Sequence, residues 1–434
     1  MSADRESGLT AGTIRKVLDN GLTVLVKPTQ HAPVATFWVW YRVGSRNELP
    51  GRTGVSHWVE HMLFKGTPNT PKGEIDRLVA REGGSFNAMT WVDWTAYYTT
   101  LPADRIGLAL DIESDRMVNS MFDPDEVASE RTVIISEREG HENSPMFLLT
   151  EEIQSSAIKA HPYHHEVIGW KSDLRTMTRS DLFDHYRRHY HPANAVAVAV
   201  GAFDPDEMFA QIERRFGALA RGEPAAAVEI EEPEQRGERR VLVVGEDETS
   251  YVVIAYLAPP AAHADYFAFQ ILDTVLGGAK SMNLFGGGPT NRSSRLYRAL
   301  VDTHLASSVS SGMAATMDPY LFTVAATVRA GQDADQVERV LLEEVAHLRE
   351  GGITSEELAR AKKQARAQFA YSAESVTSQG FWLGFAEVLA GQQWLNDHLA
   401  RLDAVTCDDV HAVAGRYLAD VKRTVGRYRP TDES

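Results

Sequence analysis

A single cysteine, Cys407, among 434 residues excludes a disulfide framework and a thiolate metal cluster. Any metal must therefore be held by nitrogen and oxygen donors. Long apolar runs are missing too: no stretch approaches the roughly eighteen uninterrupted apolar residues that read as a membrane span. The opening MSADRESGLTAGTIRK has no apolar core of signal-peptide length, and a mitochondrial transit segment avoids residues such as Asp4 and Glu6. The cytoplasm is the expected compartment. Positive charge is short as well: 44 Lys and Arg against 60 Asp and Glu leave a formal charge of −16. Nothing in that balance offsets phosphate repulsion, which argues against nucleic acid as a partner. Neutral or basic peptides make better guests than acidic ones.

What is present is an ordinary globular composition, 43% hydrophobic and 24% charged, at a length that calls for two or more domains. Residues 13–28 read as a hairpin turning at Asp19-Asn20-Gly21, and VATFWVWYRV (34–43) as a strand of β-branched and aromatic residues. Pro71 opens a helix that stops at Gly83-Gly84. SFNAMTWVDWTAYYTTL (85–101) is strand-like, in one piece or two, with Trp91, Trp94 and Tyr97 expected inside. Helical spacing covers 103–121, 124–141, 145–160 and 179–190, and AVAVAVG (195–201) is an apolar strand ahead of a helix at 204–216. RGEPAAAVEIEEPEQRG (221–237) reads as a surface linker. Beyond it the order repeats, because YLFTVAATVRAGQDADQVERVLLEEV (320–345) echoes AVAVAVGAFDPDEMFAQIERRF (195–216) in strand, polar break and helix. Two similarly built halves follow, 1–220 and 238–434.

The chemistry concentrates in GVSHWVEHMLFKGT (54–67), where Val55, Val59, Met62 and Leu63 give helical spacing. On a helix His57 and His61 lie one turn apart on one face, and Glu60 stands one turn on from His57. Two imidazoles suit a borderline-soft ion such as zinc, and a neighbouring carboxylate can deprotonate a water. His-x-x-Glu-His is the inverzincin signature. A third ligand has to come from another element. The helix at 124–141 offers Asp125, Glu126, Glu130, Glu137 and Glu139, with Glu130 and Glu137 one heptad apart and Val133 and Ile134 on the buried side between them. A second pair, His185 and His189, has the same spacing. Arg187 and Arg188 flank it and no acid accompanies it, so it reads as structural.

HWVEHMLFKGT, then GGSFNAMTWVDWTAYY, then SERTVIISERE, in that order, resembles the pitrilysin/insulinase-type zinc peptidases, in the branch of the mitochondrial processing peptidase and its bacterial relatives. The likeness in motif covers about residues 50–200, and in layout both halves. It implies an α+β fold of two homologous domains, each a mainly antiparallel sheet with helices on one face, together forming half of a clam-shell chamber. It implies one zinc per chain. In that family the third ligand stands seventy-six positions after the second histidine, which is Glu137, and an acid one heptad earlier supports the site, which is Glu130. Glu60 then takes the role of general base. Phe86, Asn87, Ala88 and Met89 fall in the family's substrate strand, an edge to which an extended peptide adds as one more strand. His₂Glu binds several divalent ions, so the metal itself stays open.

One family feature is missing. Active single-chain relatives carry, after Ser-Arg-Leu-Tyr, an Arg followed seven positions later by a Tyr, a pair that stabilises the oxyanion. After SRLYRAL (294–300) this chain has Val301 at the Arg position and Ser307 near the Tyr position, with one residue fewer between. The expectation is a homologous partner chain supplying the pair, in a heterodimer or else a homodimer. A non-catalytic scaffold subunit and a maturase for one precursor remain as alternatives. GGAKSMNLFGGGPTNRSSRLY (277–297) lacks the spacing of a phosphate loop and is expected to face the substrate chamber.

Overall fold

The computed structural model describes residues 8–224, 227–281 and 292–431. Its first sheet contains Ile14–Val17 (β1), Thr23–Pro28 (β2), Val34–Tyr41 (β3), Ser85–Thr90 (β4), Thr95–Pro102 (β5) and Ala195–Gly201 (β6), in the order β1-β2-β6-β3-β5-β4. The second contains Arg239–Gly245 (β7), Tyr251–Ala258 (β8), Ala306–Met313 (β9), Tyr320–Val328 (β10) and Thr424–Pro430 (β11), in the order β7-β11-β8-β10-β9. Strand for strand the second sheet repeats the first. β7 stands where β2 does, β11 where β6 does, then β8 for β3, β10 for β5 and β9 for β4. The parallel pair falls in the same place in each, β2 with β6 and β7 with β11. The α+β class expected from the sequence is the class observed.

The hairpin at the start closes through Asn20-Gly21: Gly21 takes φ 87, and the Asn20 side chain accepts from the Leu22 amide at 3.2 Å. Alternation along β3 then sets two layers. Phe37 faces Phe216 of the helix Pro205–Phe216, with centroids 5.9 Å apart. Trp38 and Trp40 point the other way, against Phe381 of the helix Val376–Leu389. Helices that follow the strands in sequence cover one face, and the opposite face is closed by a helix from residues far down the chain. The second sheet does the reverse. Phe269 of the helix Tyr266–Gly277 packs on Phe322 of β10, while the other face meets the helix Pro145–Ala157, which approaches so closely that a Cβ on Gly426 would sit 2.4 Å from Ile153.

The sequential division expected at 221–237 is therefore crossed twice. One compact unit comprises Met1–Arg138, His165–Glu229 and Ala373–Asn396; the other comprises Glu139–His164, Ile230–Ser372 and Asp397–Ser434. Three local expectations need correction. The helix placed after Pro71 begins at Glu74, because Gly73 at φ 78 forms its cap and the residues before it turn. Trp91 is 39% exposed rather than packed inside, since it lies in the tight turn between β4 and β5, its amide donating to the Trp94 carbonyl. Val133 is 47% exposed, while its neighbour Ile134 is fully buried. No described helix is long and apolar enough to cross a membrane.

Gly380 and Gly384 lie one turn apart on the helix that closes the first sheet. A Cβ at Gly384 would fall 2.0 Å from the Trp40 indole, and one at Gly380 2.5 Å from Trp38. Helix propensity alone makes Gly384→Ala stabilising. Overpacking at this contact should win, lowering stability by about 1–3 kcal/mol. Thermal unfolding decides it: a Tm several degrees below wild type is expected, and an unchanged or higher Tm would refute the close packing.

Candidate metal centre

The motif helix runs Val55–Met62 and buries Val55, Trp58, Val59 and Met62, which turns its other face outward with His57 and His61. The two imidazole rings stand 4.6 Å apart between centroids. The helix begins at Gly54, φ 86, and the buried Glu48 carboxylate caps it, accepting from the amides of Gly54 at 2.7 Å and Ser56 at 2.8 Å. Burial pushes the Glu48 carboxyl up to about 8, against the pull of those two amides.

The helix Pro124–Glu142 brings its two heptad-spaced acids to this face in different ways. Glu137 puts its carboxylate oxygens 3.9 Å from His57 Nε2 and 3.7 Å from His61 Nε2. One donor atom from each of His57, His61 and Glu137 lies within 4.8 Å of the others, and no other such cluster occurs among the described residues. Glu130 instead meets the far side of the ring: its Oε1 is 2.8 Å from His61 Nδ1, and Lys65 pairs with its Oε2. That carboxylate is buried. Although burial opposes ionisation, the bonds from His61 and Lys65 hold Glu130 below the usual carboxylate range. Burial by itself would lower His61, but the Glu130 hydrogen bond and the charges of Glu60, Glu130 and Glu137 raise it.

Glu60 is buried beside these donors, and Thr90, the last residue of β4, donates its hydroxyl to Glu60 Oε2 at 2.5 Å. Desolvation raises the Glu60 carboxyl above its ordinary value, with the Thr90 bond pulling the other way. The donor set suits a cation. The spacings of 3.7 and 3.9 Å are too long for hydrogen bonds and close to the roughly 3.4 Å edge of a tetrahedron with bonds of about 2.1 Å. Three carboxylates around two imidazoles also leave the spot rich in negative charge.

β4 is the outermost strand of its sheet and sits against the motif helix, with Phe86 5.8 Å from Phe64. Phe86, Ala88 and Thr90 face that helix; Asn87 and Met89 alternate to the other side. Ala88 is buried, Asn87 exposed, and Phe86 and Met89 intermediate. In the second unit Val301 ends the helical turn Tyr297–Val301, and Ser307 is exposed on β9. His304 takes φ 64 in the short link between them. Residues 282–291 of the glycine-rich stretch lie outside the described residues.

The second histidine pair proves buried: His185 Nε2 is 3.2 Å from Ser56 Oγ, and burial pushes His185 well below its ordinary value. Sequence reasoning singled out the three clustered donors, Glu60 and Glu130. It did not single out Thr90, Lys65 or Glu48, whose roles come from contacts. Alternation from Ala88 was the one signal that put Thr90 on the motif-helix face.

A two-sheet α+β frame with a His₂-carboxylate cluster beside a buried acid is the arrangement of a protein with a divalent-metal type of site. The chain belongs to the insulinase (M16) peptidase family. Residues 23–170 match the model described as insulinase (peptidase family M16), and residues 176–365 the one described as peptidase M16 inactive domain. A zinc protease of Streptomyces coelicolor is 30% identical over 93% of this chain and 87% of its own length. The mitochondrial-processing peptidase subunit beta of Lentinula edodes is 27% identical over 93% of this chain and 87% of its own. The crystal structure of a protease from Helicobacter pylori superposes with a TM-score of 0.90 at 28% identity, covering 96% of this chain and 99% of the other.

Burial, with Arg188 nearby, pushes His189 down to about 4. A histidine depressed in the fold lends stability above its unfolded value of about 6.5 and loses it as pH falls towards the folded value. Metal-free protein should therefore lose on the order of 3 kcal/mol at this group on going from pH 6.5 to 4. His189→Gln should flatten the fall of Tm across that window. Equally steep falls in variant and wild type would remove His189 from the acid response.

Proposed function

We infer that this chain is the zinc-bearing subunit of an endopeptidase that hydrolyses unfolded peptides. The observation that carries this reading is the clustering of His57, His61 and Glu137 within 4.8 Å, beside the buried Glu60. His57, His61 and Glu137 would hold a zinc ion, which when bound would supply Lewis acidity and lower the pKa of a water to about 7. Glu130 fixes the His61 ring by binding Nδ1, so that Nε2 is the nitrogen presented to the ion. Thr90 occupies Oε2 of Glu60 and leaves Oε1 to take the proton of the attacking water and return it to the leaving amine. The peptide adds as a strand at the open edge of β4, its backbone read by Ala88 and Asn87 and its side chains meeting Phe86 and Met89.

The oxyanion half of the site is proposed to come from a homologous partner chain carrying the Arg and Tyr that Val301 and Ser307 replace. The inactive-domain match over residues 176–365 and the likeness to a protein named as a subunit support that reading. A scaffold role has the inactive-domain match in its favour, but it leaves the buried base and its threonine without a purpose.

Glu60→Gln should keep one zinc per chain and lose peptidase activity by about a thousandfold or more, as removing a proton acceptor and its charge together does. Metal content and peptide cleavage, measured on the chain alone and with any co-purifying homologue, check it. Full turnover by the zinc-loaded variant would sink the role of Glu60. Equal activity of wild type with and without the homologue would sink the partner.

A further inference from the structure

The helix Pro124–Glu142 carries the tripeptide Ser-Glu-Arg twice, at 129–131 and 136–138, one heptad apart. Its two glutamates face the histidines. Its two arginines do something else, and they do it in the same way. Arg131 Nη2 donates to the Met177 carbonyl at 2.6 Å, and Arg138 Nη1 to the Gly169 carbonyl at 2.8 Å. Both guanidiniums also lie over indoles, Arg131 5.3 Å from Trp58 on the motif helix and Arg138 5.5 Å from Trp170.

The two carbonyls belong to one segment, residues 169–177, and that segment is seated on the start of the motif helix. The Trp170 amide donates to Thr53 Oγ1 at 2.9 Å, and Thr53 donates through its hydroxyl at 2.8 Å and its amide at 3.1 Å to Asp173. Gly169, at φ 77, passes so near that a Cβ would lie 2.3 Å from the Thr53 carbonyl. A closed circuit of contacts results: motif helix, Thr53, the 169–177 segment, Arg138, and Glu137 next to it in sequence.

We propose that Arg131 and Arg138 are positioning residues for the metal centre, anchoring the glutamate-bearing helix to a segment that is itself bolted to the histidine-bearing helix. Two helices that supply ligands to one ion must keep their separation to within a few tenths of an ångström. Direct contacts among the three ligand side chains cannot do this: Glu137 stays 3.9 and 3.7 Å from the two imidazoles, beyond hydrogen-bond reach, and the bonds of Glu130 to His61 and Lys65 hold only the Glu130 end of its helix. The arginine clamps set the separation from outside, through bonds to backbone carbonyls that do not swing as side chains do. The planar guanidinium suits the task, donating to the carbonyl while its face rests on an indole, which an ammonium does less well.

This inference rests on reading His57, His61 and Glu137 as a zinc centre, and the test separates the two. Zinc dissociation constants from chelator competition, and the visible absorption of the cobalt-substituted site, are measured for wild type and for Glu137→Gln, Arg138→Met, Arg138→Lys and Arg131→Met. Weak zinc binding by wild type, or unchanged binding by Glu137→Gln, would overturn the zinc centre. With those two behaving as expected, Arg138→Met should weaken zinc by about ten- to a hundredfold, the usual cost of losing an outer partner of a metal site. Its cobalt spectrum should lose four-coordinate intensity, and Arg138→Lys should recover only part of both. Arg131→Met should act in the same direction, and it carries the test if Arg138→Met folds poorly. Zinc affinity within threefold of wild type in a folded Arg131→Met or Arg138→Met would overturn the clamp.

Discussion

Three electron-pair donors on two helices have to be held within 4.8 Å of one another, with a fourth, buried carboxylate close by. Charge works against that arrangement where Glu60 and Glu137 come together, the Glu137 charge adding to burial in raising the Glu60 carboxyl. Much of the first unit answers this constraint. Glu48 and Thr53 fix the start of the motif helix, Lys65 neutralises Glu130, and the packed sheet behind supplies a rigid floor through Phe64, Phe86 and Tyr97. A cation placed among the donors relieves the repulsion, so binding and folding are coupled at this point.

The duplicated sheets explain how one half became free to change. In the first sheet the outermost strand, β4, ends at Thr90 and so ties the sheet edge to Glu60. The corresponding edge in the second sheet, β9, carries Ser307 and Ser308 and no member of the metal cluster. Among the described residues, the same backbone plan therefore appears once with the His57–His61–Glu137 cluster and once without such a cluster. The exchanged helices, Pro145–Ala157 and Val376–Leu389, mean that neither sheet is finished by the stretch of sequence that builds it.

Much of this was legible in the residues. The i, i+4 histidines with an intervening glutamate needed only helix geometry, and the β-branched and aromatic residues of VATFWVWY announced a strand. The choice of Glu137 over its acidic neighbours was not legible from spacing. Glu130 and Glu137 share a helix face, and only the fold shows one meeting two Nε2 atoms and the other an Nδ1. The exchange of helices was hidden for a related reason. An amphipathic helix states that it covers something, but not which sheet. Trp91 misled because strand propensity favours tryptophan regardless of whether it falls in a ladder or in the turn between ladders. Thr90, Lys65 and the two arginines are common residues whose importance lies entirely in what they touch.

The central claim is that two imidazoles and one carboxylate, on two helices, form a single metal centre. Zinc K-edge absorption fine structure on the metal-loaded chain tests it most directly. The account predicts one zinc with two imidazole nitrogens at about 2.0–2.1 Å and the remaining positions filled by oxygen. A sulfur shell at about 2.3 Å, pointing to Cys407, or a shell with more than two imidazoles, pointing to the other histidines, would contradict it.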